Sequence, residues 1–220
     1  MSIRPVPLLP DEYYHIYSRG GDKRKIFHNA VDYQRFQKLL YLANSDKSFR
    51  FETIKNVYEV ERGERLVSIG AYCPMPNHIH LLIKQKAENG ISKFIQKFLT
   101  AYSMYYNVKY EHTGSLFESK FKVEHLGNDV YLKYVFSYIH LNPVKLIYPD
   151  WKEDGISDKK RALDFLNQHT YSSFLDYRGI KRPENKILNR EEFPDYFPTL
   201  KHFENEILDW INYGLQGKAS

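Results

Sequence analysis

The order of strand-like and helix-like segments predicts an α+β protein with a ferredoxin-like βαββαβα sandwich. Short runs rich in β-branched and aromatic residues alternate with longer stretches in which apolar residues recur at helical spacing. Such an order builds an antiparallel sheet, and we expect its helices to pack on one face. From residue 150 the chain becomes charged and loop-rich. We therefore predict a core domain over residues 1–149 and an accessory, mostly helical and loop-containing extension over residues 150–220 that packs on it.

The first half of the chain supplies a strand, a helix and the middle strands of the predicted sheet. The predicted strands are 12–21, 53–58, 66–72 and 78–84, with a helix over 29–44 between the first two. Asn29 is a suitable N-cap for that helix. The strand at 66–72 leads through Pro74 and Pro76 into the strand at 78–84, which leaves the boundary between them open.

The second half supplies the remaining core elements and the extension. The predicted core elements are a helix over 91–110, a strand over 116–126 and a helix over 129–141, and the extension contains helices near 160–167 and 199–214. Asn128 caps the helix that begins at 129, and Pro143 must stop it because proline cannot continue a helix. These elements complete the predicted order.

Composition limits the classes of protein that the chain can belong to. A chain of 220 residues and 26.3 kDa is long enough for one good core. The formal charge is +5, and 16% of the residues are aromatic, including 19 tyrosines. Basic and aromatic side chains together suit single-stranded nucleic acid, whose phosphates need cations and whose bases stack. The alternative is that the tyrosines simply fill half-buried surfaces.

The single cysteine and the lack of long apolar runs point to the cytoplasm. Cys73 cannot form an internal disulfide, and its apolar surroundings favour a buried structural thiol over a nucleophile. No apolar run approaches the length needed to cross a bilayer, and the N-terminus lacks the apolar segment of a signal peptide. We therefore expect a cytoplasmic protein without a membrane partner.

Two histidines one residue apart form the centre of the candidate site. His78 and His80 lie in a predicted strand, where side chains alternate, so both point to the same face. Side chains so placed start about 7 Å apart and can converge on one metal ion. The alternative is a pair of half-exposed strand histidines without a ligand.

A tyrosine and an asparagine four residues apart form the second half of the site. Tyr138 and Asn142 share one helical face, about 6 Å apart along the helix axis. If this face meets His78 and His80, one site contains two imidazoles, an amide oxygen and a phenol. Imidazole and oxygen donors suit a divalent ion such as Mg²⁺ or Mn²⁺. The alternative is that Tyr138 joins the helix's core stripe while Asn142 caps the helix end.

Four motifs in matching order resemble a known family. They are Y-H-I-Y-S-R-G at 14–20, M-P-N-H-I-H-L-L at 75–82, T-G-S-L-F at 113–117 and Y-I-H-L-N-P-V-K at 138–145, with a weaker Y-S-S-F at 171–174. The chain resembles the IS200-like, single-tyrosine HUH transposases, and in particular the branch of REP-associated tyrosine transposases. His-x-His alone is a weak signal, but it is specific in combination with the segment that begins at Tyr138.

The resemblance implies roles for the site residues and a reaction. His78 and His80 would be metal ligands, Tyr138 the nucleophile, and Asn142 the third protein ligand, where related transposases often carry Gln. The implied activity is metal-dependent nicking and strand transfer of single-stranded DNA through a 5′-phosphotyrosine intermediate, without a nucleotide cofactor. The implied partner is single-stranded DNA with hairpin-containing repeats, which would bring the protein to the nucleoid. A homodimer is left open.

Basic residues on predicted loops and strands are candidates for contacts with the DNA backbone. They are Arg19, Lys23, Arg24, Lys25, Lys120 and Lys122. A solvated charged face is the alternative for each of them. Two alternatives to the transposase-like reaction also stay open. One is a catalytically silent or regulatory DNA-binding protein of the same fold, and the other is a phosphoesterase that uses water while Tyr138 is structural.

Overall fold

A four-stranded antiparallel sheet forms the centre of the computed structural model, which describes residues 6–118 and 120–216, without the side chains of Lys152 and 211–216. Its strands are β1 (Tyr13–Arg19), β2 (Val67–Met75), β3 (His78–Gln85) and β4 (Lys122–His125). The spatial order is β2-β3-β1-β4, so β1 and β3 are the inner strands. The predicted α+β class is confirmed.

Seven helices accompany this sheet in the described part of the chain. The core helices are α1 (Ala30–Ala43), α2 (Gly90–Lys109) and α3 (Asp129–Leu141). The later helices are α4 (Trp151–Asp154), α5 (Lys159–Gln168), α6 (Phe174–Tyr177) and α7 (Leu200–Gln216). Element order along the core is therefore β1-α1-β2-β3-α2-β4-α3.

Side-chain caps explain where α1 and α3 begin. The Asn29 side chain accepts hydrogen bonds from the backbone of Val31 and Asp32, while the Asp32 carboxylate accepts one from the Asn29 backbone. The Asn128 side chain accepts one from the Tyr131 backbone at 2.7 Å. Helix α3 ends at Leu141 as predicted, and Pro143 lies in the 3₁₀ turn that follows.

Two predicted strands differ from the structure. Residues 53–58 form no strand; 3₁₀ turns at Phe51–Thr53 and Val57–Glu59 lie there instead. Lys55 and Asn56 interrupt the apolar alternation, and Val57 reaches the core from a turn. Of the strand predicted at 116–126, only the segment β4 forms a strand. An isolated pairing of Phe117 with Gly20 precedes it.

Strand β2 is the second strand in chain order, a position that the sequence analysis gave to residues 53–58. It runs to Met75 and includes Pro74, which pairs with Ile79 on β3. Because β2 is an edge strand of the sheet, the missing N–H of Pro74 does not break an interior ladder. This placement resolves the open boundary between the second and third predicted strands.

The sheet is covered on both faces, so the prediction of helices on one face is wrong. The Tyr72 hydroxyl accepts a hydrogen bond from Gln37 of α1 at 3.3 Å. Cys73, the next residue of β2, pairs with His80, whose ring lies 5.5 Å from that of Tyr138 on α3. Adjacent residues of a strand point to opposite faces, so α1 and α3 lie on opposite sides of the sheet.

Two segments later in the chain, around Ser173 and Asn189, cover the open edge of β2. Ser173 exchanges backbone and hydroxyl hydrogen bonds with the Tyr72 backbone at 3.0–3.2 Å. The Asn189 backbone donates to the carbonyl of Ile69 at 2.9 Å. Ser173 also contacts Nε2 of His140 on α3 at 2.8 Å. Covering an edge strand removes a surface that would otherwise pair with other chains.

None of the helices described here combines the length and the apolar character that crossing a membrane requires.

Because His140 is buried in its neutral form, we expect the protein to lose stability in mild acid. Burial lowers the pKa of the fully buried His140 to about 3, whereas an unfolded histidine titrates near 6.5. As the pH falls below 6.5 the unfolded state takes up the proton first, so the folded state loses stability. We expect His140 to lower the free energy of unfolding by about 1 kcal/mol between pH 6.5 and 5.5.

Urea unfolding at pH 7.5, 6.5 and 5.5 measures this loss. The His140→Gln variant should show a flatter dependence of unfolding free energy on pH than the wild type. His202 is exposed, so His202→Gln serves as the control and should keep the wild-type slope. An unchanged slope in His140→Gln would contradict the assignment.

Candidate active site

A cleft of about 440 Å³ lies between the sheet and helix α3. Most of the side chains that line it are polar, charged or aromatic. The lining residues are His15, Tyr17, Ser18, Arg19, His78, His80, Glu118, Lys120, Lys122, Glu124, Tyr131, Tyr134, Val135, Tyr138 and Lys145. It therefore contains the two histidines and the tyrosine that the sequence analysis singled out.

Strand register brings the sheet residues of the cleft together. Residues directly opposite each other in an antiparallel pair point to the same face. The pairs that border the cleft are Arg19–His78 and Tyr17–His80 between β1 and β3, and Tyr17–Lys122 and His15–Glu124 between β1 and β4. Three strands thus present one continuous polar face to α3.

The rings of the two histidines lie close together on one face of the sheet. The ring centroids of His78 and His80 lie 4.8 Å apart. Nδ1 of His78 lies 2.6 Å from Oδ1 of Asn77, whose amide nitrogen donates to the carbonyl of Lys23 at 3.3 Å. Because Asn77 presents its oxygen, Nδ1 of His78 must carry the proton. Nε2 is then the nitrogen by which His78 would bind an ion.

The surroundings of His78 keep it uncharged. Burial lowers its pKa to about 4, and the positive charges of Arg19 and Lys145 act in the same direction. A neutral imidazole is the form that binds metal. His78 is therefore in its ligating form at neutral pH.

Tyr138 stands beside the histidines and a cation. Its half-buried ring lies 5.5 Å from that of His80 and 6.1 Å from that of His15. The Lys145 ammonium lies 5.5 Å from the centre of the Tyr138 ring. The structure therefore brings Tyr138 together with the histidine pair, a contact that the sequence analysis had left as a condition.

Asn142 is placed differently from Tyr138. It begins the 3₁₀ turn after α3, is fully buried and does not line the cleft. Its amide nitrogen lies 3.5 Å from the carbonyl of Tyr138. Its Oδ1 is buried and has no hydrogen-bond partner among the residues that the structure describes. The assignment of Asn142 as a metal ligand stays a prediction.

The donor set fits a divalent ion bound mainly by imidazole. Within residues 6–118 and 120–216, no three His, Cys, Asp or Glu side chains are grouped to hold a metal. The donors at hand are the imidazoles of His78 and His80 and the buried amide oxygen of Asn142. Neutral imidazole and amide oxygen can both bind a divalent ion, and so small a donor set would leave positions open for water or phosphate oxygens.

The candidate DNA-binding residues fall into two groups. Arg19, Lys120 and Lys122 line the cleft, and Lys145 adds a cation that was not among the predicted DNA contacts. Lys23, Arg24 and Lys25 lie in the loop after β1 and do not line it. Arg24 is turned toward the carbonyl of Gly21 at 3.0 Å and contacts His112.

Sequence reasoning assigned no role to His15 and Glu124. Nε2 of His15 lies 2.9 Å from Nδ1 of His80, and its Nδ1 lies 3.4 Å from Oε2 of Glu124. Strand alternation could have placed His15 on one face with Tyr17 and Arg19. Its contact with His80 depends on the register between β1 and β3, which local patterns do not supply.

A histidine pair on a central strand thus faces a helix-borne tyrosine across a cleft that also contains the cations of Arg19, Lys120, Lys122 and Lys145 and the carboxylates of Glu118 and Glu124. The chain belongs to the IS200-like transposase family: the family model described as "Transposase IS200 like" matches residues 10–142, more than half of the chain. Membership implies a DNA transposase activity, and the family is generally metal-dependent. The predicted family is confirmed.

A solved structure supports the fold. The chain is similar to "Structure of the REP associates tyrosine transposase bound to a REP hairpin", with a TM-score of 0.50 and 12% sequence identity. The match covers 84% of this chain and 90% of that chain. The comparison with curated proteins found no match.

The hydrogen bond from His78 to Asn77 predicts a specific tautomer. At pH 7 and without metal, we expect His78 to carry its proton on Nδ1, because Asn77 can only accept there. Long-range ¹H–¹⁵N spectra of the imidazole ring report this tautomer directly. Asn77→Ala should allow the Nε2–H form to appear, and a dominant Nε2–H form in the wild type would contradict the assigned contact.

Proposed function

We propose that this protein nicks single-stranded DNA and transfers the cut strand through a 5′-phosphotyrosine intermediate on Tyr138. The proposal is supported chiefly by the position of Tyr138, whose ring lies 5.5 Å from that of His80 in a cleft lined with cations. We propose further that residues 1–149 form a ferredoxin-like HUH endonuclease core. Residues 150–220 would then be an accessory extension.

His78 and His80 would hold a divalent ion, Mg²⁺ or Mn²⁺. Such an ion, when bound, polarises the scissile phosphate. Asn142 would be the third protein ligand, which would give its buried Oδ1 a partner. The neutral state of His78 supports this assignment because a protonated ring could not bind the ion.

The reaction follows from the chemistry of a phenol. The Tyr138 oxygen attacks the phosphorus, the bond from phosphorus to the 3′ oxygen breaks, and the phenolic proton is lost as the 3′-hydroxyl gains one. A phenol is protonated at neutral pH and needs help to react. The Lys145 ammonium beside Tyr138 would stabilise the developing phenolate. Since the new ester conserves the bond energy, a 3′-hydroxyl can reverse the attack and join strands without ATP.

Single-stranded DNA is the partner that the cleft suits best. Arg19, Lys120 and Lys122 would neutralise phosphates next to Tyr138, while Lys23, Arg24 and Lys25 would contact the backbone further away. Hairpin-containing repeats are the proposed form of the substrate. The similar solved structure is described as bound to a REP hairpin, which supports this choice.

A covalent adduct tests the nucleophile. The protein is incubated with Mn²⁺ and end-labelled single-stranded hairpins taken from repeats that flank its own gene, and the products are separated on a denaturing gel. We expect a protease-sensitive shifted band that disappears in Tyr138→Phe, with DNA binding retained. Tyr148 lies outside the cleft, so Tyr148→Phe serves as the control and should form the adduct like the wild type.

The other outcomes of this experiment separate the alternatives. An adduct that persists in Tyr138→Phe would show that another residue is the nucleophile. Cleavage without an adduct would indicate water as the nucleophile and contradict the proposal. Binding without cleavage or adduct would favour the catalytically silent DNA-binding protein.

Salt dependence of binding tests the cationic wall of the cleft. Each phosphate contact with single-stranded DNA contributes about 0.7 to the slope of log affinity against log salt concentration. The double variant Lys120→Ala/Lys122→Ala should therefore reduce the slope by about 1.4. Lys159→Ala/Lys160→Ala, on exposed residues of α5, is the matched control and should keep it. An unchanged slope in the first variant would remove both lysines from the interface.

A further inference from the structure

A chain of hydrogen bonds leads away from His80 along the cleft face of the sheet. Nδ1 of His80 lies 2.9 Å from Nε2 of His15, whose side chain is buried. Nδ1 of His15 in turn lies 3.4 Å from Oε2 of Glu124. The Tyr131 hydroxyl donates to the other oxygen of Glu124. The chain thus connects the candidate metal ligand to a carboxylate held from two sides.

The carboxylate sets the direction of every hydrogen bond in this chain. A carboxylate only accepts, so Nδ1 of His15 donates to Glu124. In a neutral imidazole only one ring nitrogen carries a proton, so Nε2 of His15 then has to accept. Nδ1 of His80 must therefore donate to His15, and the lone pair of His80 lies on Nε2. This is the tautomer that a metal ligand bound through Nε2 requires.

The fold holds this chain in place. Glu124 lies directly opposite His15 in the pairing of β1 with β4, and His15 is two residues from Tyr17, which lies opposite His80. The rings of His15 and His80 are nearly parallel, at 19° with centroids 5.1 Å apart. Three strands and the first turn of α3 therefore fix the orientation of one imidazole.

We propose that His15 is a positioning residue that, with Glu124, fixes the tautomer and ring orientation of His80 for binding a divalent ion through Nε2. The inference rests on the proposed function, in which His78 and His80 hold that ion. The two ligands are then supported differently: His78 donates to a neutral amide, and His80 donates to an imidazole backed by a carboxylate. Such support raises the basicity of the ligand and orients it.

Affinity for Mn²⁺ alone tests the proposal on the full chain, without DNA. Electron paramagnetic resonance of free Mn²⁺ gives the dissociation constant for each variant. The variants are His80→Ala, His15→Leu, His15→Gln, Glu124→Gln and His125→Leu. Removing a side chain that supports a metal ligand typically weakens binding by about 10- to 100-fold. We expect a loss in this range for His15→Leu and a smaller loss in the same direction for Glu124→Gln.

Two variants separate positioning from simple loss of packing. His15→Gln keeps an acceptor for His80 and a donor for Glu124, so it should recover most of the affinity that His15→Leu loses. His125 also pairs with a carboxylate, Glu12 at 2.8 Å, but it does not line the cleft. His125→Leu should therefore bind Mn²⁺ like the wild type.

The tautomer of His80 is a second readout that needs no metal. Ring ¹⁵N spectra at pH 7 should show the Nδ1–H form of His80 in the wild type and in His15→Gln. In His15→Leu the Nε2–H form should appear. If His15 contributed only packing and had no link to His80, its removal would leave the tautomer of His80 unchanged.

The outcomes distinguish this inference from the proposed function. If the wild type binds no Mn²⁺, or His80→Ala binds it as tightly as the wild type, the metal site itself is wrong and the inference fails with it. If His80→Ala loses affinity while His15→Leu keeps it and the His80 tautomer is unchanged, the metal site stands and His15 has no positioning role.

Discussion

The antiparallel pairing of β1 with β3 is the constraint on which the site depends. It sets Tyr17 opposite His80 and Arg19 opposite His78, so side chains from distant parts of the chain share one face. A slip of one residue would turn every β1 side chain to the other face of the sheet and remove His15, Tyr17 and Arg19 from the cleft. Because β1 also pairs with β4, the same register adds Lys122 and Glu124.

Helix α3 completes the cleft, and contacts on its far side hold it there. Tyr138 faces the sheet, whereas His140, two residues on, is fully buried and contacts Ser173 of the extension. Ser173 is in turn hydrogen-bonded to the backbone of Tyr72 at the edge of β2. The segments that carry two of the recognised motifs, at 138–145 and 171–174, therefore meet around one buried contact.

Local sequence patterns predicted the parts of the site that depend on local geometry. Alternation along a strand placed His78 and His80 on one face, and caps and Pro143 set the ends of α3. Patterns could not assign residues 53–58, whose short apolar run has no strand partner in the fold. Nor could they place His15 beside His80 or show that Asn142 is buried and does not line the cleft, because register and the turn after a helix are set by tertiary packing. The covered second face of the sheet was missed for the same reason.

The identity of the residue that becomes linked to DNA tests the central claim most directly. The adduct is digested with nuclease and trypsin, and tandem mass spectrometry locates the nucleotide remnant. The account predicts a phosphotyrosine-linked nucleotide on Tyr138, within the peptide of residues 134–145. Tyr134 lies in the same peptide and Tyr131 in the preceding one, and their rings stack in sequence with that of Tyr138. A remnant on either of these tyrosines, or on no tyrosine, would contradict the account.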